Sequence, residues 1–294
     1  MKKQGVIIVV FLLLVTASWA QRQIIVPYYD RATDLYGYRD SALNMIAIPA
    51  KYGFADRYSC GIARVMLDGK WGFIAFSGKE ITPPIYEDAL NMTDSLAAVK
   101  LGGKWGYINR SGQTVIAHQY DLATPFSEDR AAVFHDGFWG FINQLGKEGI
   151  EAIFGYDENV YPVFRGGLAN VKFRDFWGYI DRNGKIAIAF QYDYTLPFDG
   201  DIAAVQKDGK WGFVNRAGKE IIPLQYETAG TLPIIRENLI ALSFDEKYGF
   251  LDRTGKIAVP FMYDYAANFE NGTALVRLGD TQFYIDKQGE IVKK

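Results

Sequence analysis

The chain has 294 residues, 49% hydrophobic and 15% aromatic, with 32 basic against 34 acidic side chains and one cysteine. That apolar content can fill a sizeable core, and a net charge of −2 leaves no basic excess to gather on a nucleic acid backbone. A single cysteine excludes an internal disulfide framework.

The first twenty residues stand apart. Lys2 and Lys3 precede an apolar run over 6–15, and Ser18-Trp19-Ala20 is an acceptable cleavage site, which is the pattern of a secretory signal peptide. The run is shorter than the roughly 20 residues a spanning helix needs, and no second segment predicts a membrane span. Residues 1–20 are therefore read as a signal peptide and 21–294 as one repeat domain, exported to the periplasm, the cell surface or the medium. The Met-Lys-Lys start and the Ala-Gln junction resemble exported proteins of Gram-negative Bacteroidetes.

Next comes Ile24-Ile25-Val26-Pro27-Tyr28-Tyr29-Asp30, similar to the third strand of a unit without its hairpin. Cys60 follows in a connecting segment and is expected as a partly buried thiol. From there Trp-Gly recurs at Trp71-Gly72, Trp105-Gly106, Trp139-Gly140, Trp177-Gly178 and Trp211-Gly212, in steps of 34, 34, 38 and 34 residues. Weaker copies stand at Tyr36-Gly37, Tyr248-Gly249 and Gln282-Phe283, which makes about eight units. A tyrosine lies 15 residues after the Trp position at Tyr86, Tyr120, Tyr192, Tyr226 and Tyr263.

Each unit reads as three antiparallel strands. Ala97 to Leu101 is the first, and Gly102-Gly103, or Asp68-Gly69 and Asp208-Gly209 elsewhere, is a hairpin turn. Lys104 to Asn109 is the second strand. Asn109-Arg110-Ser111-Gly112 suits a type I turn closed by a left-handed Gly. The third strand is short, and Pro223 marks its copy as an end or an edge. Alternation puts Trp105 and Tyr107 on one face and Gly106 and Ile108 on the other. The glycine is read as the seat of a neighbouring unit's aromatic ring. The tryptophans are read as core, with an exposed aromatic platform as the alternative.

The fold class is thus all-β, a tandem repeat of three-stranded units. An open solenoid or superhelical array fits units of this length best, and a closed propeller-like ring is the alternative.

Lys104-Trp105-Gly106-Tyr107-Ile108-Asn109, Lys210-Trp211-Gly212-Phe213-Val214-Asn215 and the Pro223-x-x-Tyr226 continuation resemble the WG-repeat family. The resemblance covers most of the mature chain. It implies a β-rich repeat, often in bacterial exported proteins, without a common catalytic activity, so it carries no catalytic residues over. The signature residues, including Tyr248 and Gly249, are structural on this reading.

Chemistry is sparse. His118 and His135, the only two histidines, lack a recurring carboxylate partner and are expected to be ordinary strand residues. Asp181-x-Asn183-Gly184 lacks the spacing and late Glu of a calcium loop and reads as a turn. Asn91-Met92-Thr93 and Asn271-Gly272-Thr273 match the glycosylation sequon, a frequent chance match. No cofactor, metal or catalytic group is expected, and the chain is not read as an enzyme. The connecting stretches 89–94, 123–129, 159–166 and 230–238 differ between units while the hairpins do not. They are the candidate variable surface of a non-catalytic scaffold for an envelope or secreted partner protein. Binding of polysaccharide or cell wall through exposed aromatic residues is the alternative.

Overall fold

A computed structural model describes residues 24–228 and 232–292, so the expected signal peptide and Gly230 lie outside it. Its regular structure is all β, without helices: eight antiparallel sheets succeed one another along the chain. The third sheet shows the plan. A short strand (Asp88–Ala89), a leading strand (Leu96–Leu101), a Trp strand (Lys104–Asn109) and an outer strand (Thr114–Tyr120) lie side by side in chain order.

Seven sheets have four strands and the first has three, against the three per unit expected from sequence. The additional strand is a two-residue piece in the connecting stretch, too short to show a period. In the first sheet, Ile25–Asp30 is not a third strand. It forms a hairpin with Leu35–Asp40, running from Ile25↔Asp40 to Asp30↔Leu35. Its turn has no Gly; the Asp30 carboxylate accepts the Ala32 N–H at 3.0 Å, and Asp34 takes a φ of 59°.

The predicted turns are present. Gly102 and Gly103 both have positive φ, 62° and 77°, as the two-residue primed turn requires. At the next turn the Asn109 Oδ1 accepts the Ser111 and Gln113 N–H groups, each at 3.0 Å. Asn143, Asp181, Asn215, Asp252 and Asp286 do the same in later sheets. Asp181 and Asn183 are therefore turn residues. The outer strand holding Pro223 is an edge strand, where the missing N–H is tolerated.

The fifteen-residue spacing from Trp to Tyr is a cross-strand register. Trp71↔Tyr86, Trp105↔Tyr120, Trp177↔Tyr192, Trp211↔Tyr226 and Tyr248↔Tyr263 are paired residues of the Trp and outer strands. A bulge in the outer strand follows each pair. It arches over the signature glycine, so a Cβ on Gly106 would lie 2.6 Å from the Ile116 carbonyl oxygen and 2.9 Å from the His118 nitrogen. The glycine is therefore required by its own sheet's backbone, not by a neighbouring unit's ring. The same approach recurs at Gly72, Gly140, Gly178, Gly212 and Gly249.

The cores lie between sheets. Leu96, Ala98, Trp105 and Tyr107 enter the cluster shared with the fourth sheet. Ala97, Val99 and Ile108, alternating with them, enter the cluster shared with the second. Both faces of the leading strand are thus buried, which is why it reads Leu-Ala-Ala-Val without a polar side. Each core cluster joins one sheet to the next, and among the described residues none joins the eighth sheet to the first.

Candidate interaction surface

The signature aromatics are consumed by packing. Trp139 is 0% exposed, Trp177 2%, Trp211 5% and Trp105 6%. Trp71 is half-buried beneath the Arg64 guanidinium, 4.3 Å from its ring centroid. A tryptophan platform for ligands is thereby removed.

The two histidines go to different places. His118 stacks on Tyr86 at 6.4 Å, and its Nε2 is buried without a partner. Burial pushes its pKa below the ordinary value of 6.5, disfavouring the charged form. His135 packs against Tyr120, with Nδ1 3.0 Å from Asp136 and Nε2 3.7 Å from Glu148. No group of three potential metal ligands occurs among the described residues. Cys60 is exposed rather than partly buried: it stands in a turn, at φ 52°. Both sequon asparagines, Asn91 and Asn271, are exposed.

The connecting stretches gather the openings of the surface. Leu90, Ala123, Thr124, Pro125 and Tyr161 line a cavity of about 480 Å³ with Trp105, Asp88 and Lys100. Arg165, Asp199, Arg236, Pro197, Pro233 and Ile234 help line another of about 300 Å³. Of these residues, Asp88, Lys100, Trp105, Pro197 and Asp199 lie outside the stretches whose length and content differences the sequence displayed.

Charges at the two ends of the sheets follow the repeat. At the hairpin end, Asp264 accepts the Gly279 N–H of the next sheet at 2.7 Å while pairing with Lys247 at 2.6 Å. Lys104 and Lys210 make the equivalent pairs with Asp121 and Glu227. In the fourth and fifth sheets the lysine position is taken by Phe138 and Phe176. These two, with Tyr156 and Tyr161, leave four exposed aromatic rings there.

At the opposite end, turns clasp loops of the preceding sheet. Arg182 bonds Glu128 at 2.8 Å, Arg253 reaches Asp199 at 3.3 Å, and Lys287 reaches Glu237 at 2.8 Å. Glu128 also accepts the Gly166 and Gly167 N–H groups. Burial opposes its ionisation, but these hydrogen bonds outweigh it and hold the carboxyl below its usual 4.5. Arg165 and Arg236 stand at this end without a hydrogen-bond or ion-pair partner among the described residues.

The WG containing repeat model matches the chain at residues 36–71, 71–105, 105–137, 139–175, 177–211, 211–248 and 248–281. No curated protein matches the sequence. Among solved structures, a eukaryotic initiation factor is similar with a TM-score of 0.58 at 10% identity, covering 92% of this chain and 84% of that one. BamB from Moraxella catarrhalis aligns more loosely, with a TM-score of 0.39 at 13% identity over 79% of this chain and 80% of that one. These structural neighbours are β-propeller-like, and the likeness is one of fold alone.

Proposed function

We propose that this chain, which belongs to the WG containing repeat family, is a non-catalytic scaffold that is exported and holds a partner protein in the cell envelope. One observation carries the reading. Most residues that recur are spent on packing sheets together, and stretches that differ between units contribute much of the lining of both cavities. Repeat arrays present binding surface in this way, with variable positions on a constant frame. Export rests on the amino-terminal sequence pattern alone.

The test uses the purified protein on two immobilised fractions, solubilised envelope proteins and insoluble wall polysaccharide. The scaffold reading expects one envelope protein to be retained, and retention to be lost when 159–166 is replaced by the short connection of the third sheet. Retention on neither fraction would overturn it.

Polysaccharide binding is the second reading. It is favoured by the cavity where the exposed Tyr161 ring meets Asp88 and Lys100, since a ring stacks on a sugar face and the charged groups bond hydroxyls. Retention on the polysaccharide fraction alone, abolished by Tyr161→Ala, would establish it in place of the first.

A further inference from the structure

We propose that the cavity spanning the fifth, sixth and seventh sheets binds a peptide segment of a partner protein in which acidic residues flank an apolar one. This rests on the scaffold reading and names the chemistry of the partner.

The argument begins with register. Arg165 pairs with Leu168, Asp199 with Ile202 and Arg236 with Leu239. Each is thus the last residue before the turn into the leading strand of its sheet. The three stand at one level on three consecutive sheets and line one cavity of about 300 Å³. The Asp199 charge is already met by Arg253, 3.3 Å away. Arg165 and Arg236 are exposed and have no partner among the described residues. The cavity therefore carries two unneutralised guanidinium groups, on a chain whose net charge is −2.

Guanidinium stays charged at any ordinary pH and makes forked bonds to carboxylates. Two such groups beside one opening attract an anionic partner by their field before contact. The same end of the array already shows how a carboxylate is received. Glu128 there sits on the Arg182 guanidinium and on backbone N–H groups of the Arg165 loop. The same cavity is also lined by the apolar Pro197, Pro233 and Ile234. An inorganic anion would satisfy the cations and leave that lining wet. An apolar side chain between two acidic ones covers both.

The test is a fluorescence anisotropy titration of the purified protein with a labelled peptide of alternating Glu and Leu. Saturable binding is expected, weakened by added salt because the charges are exposed. The double variant Arg165→Gln, Arg236→Gln should bind about tenfold more weakly, the loss expected for charge-assisted contacts. Neither side chain has a partner among the described residues, so circular dichroism should not change. Arg110→Gln, at an exposed turn of the third sheet, should bind as the parent does.

Absence of binding, equal binding by the double variant, or equal binding of a Gln and Leu peptide would each overturn the proposal. Equal binding of a Glu and Ser peptide, or full displacement by inorganic phosphate, would overturn its peptide occupant. An envelope protein retained equally by the parent and the double variant would sink this site while leaving the scaffold reading intact.

Discussion

Gly106 shows how little room the repeat leaves. A methyl group there would meet the Ile116 carbonyl oxygen at 2.6 Å, and that oxygen belongs to the backbone of a bulge that cannot swing aside. Gly106→Ala should lower stability by about 1–3 kcal/mol, the usual range for forced overpacking. Gly53 is the control. Its nearest neighbour is the Met66 methyl at 3.7 Å, so Gly53→Ala should stay within about 0.5 kcal/mol. Denaturant midpoints of the two variants check this, and equal midpoints would remove the bulge explanation. The spacing of Trp, Gly and Tyr was plain in the sequence. The partner of the glycine was not, because a bulge shifts which backbone atoms oppose it and leaves no mark in a hydrophobic pattern.

At the scale of the element, neighbouring sheets are joined by an apolar core and by charged clasps. The clasp from the fourth to the fifth sheet centres on Glu128, with Arg182 and two N–H groups of the Gly166-Gly167 turn. Its folded pKa lies below the ordinary 4.5. A depressed carboxyl pKa adds stability above the unfolded value, and that contribution is lost as pH falls through the folded one. The denaturant midpoint of the parent should therefore drop more between about pH 5 and pH 3 than that of Glu128→Gln, which has no proton to take up there. Parallel curves would show that the clasp contributes nothing. No sequence period marks this contact, since Arg182 and Glu128 lie 54 residues apart and meet through the packing of two sheets.

Across the whole molecule, each sheet depends on its neighbours, as in any repeat array. The interior Trp strand Phe176–Asp181 buries four consecutive residues, whereas Thr281–Ile285 of the eighth sheet buries only its last. Amides of Phe176–Asp181 should exchange with solvent more slowly than those of Thr281–Ile285, because local opening costs less where fewer apolar contacts break. Uniform protection over the eight sheets would instead mean that the array unfolds as one unit.

The all-β class, the number of units and the hairpin turns were determined by the sequence itself. These follow from local rules: a two-residue Gly turn, a side-chain period of two, and a motif repeated in a fixed frame. The fourth strand of seven of the sheets, the burial of the tryptophans, the true place of Ile25–Asp30, the exposure of Cys60 and the lack of a partner for Arg165 and Arg236 among the described residues were decided only by tertiary structure. Each depends on which atoms of distant units come together, and no local period encodes that.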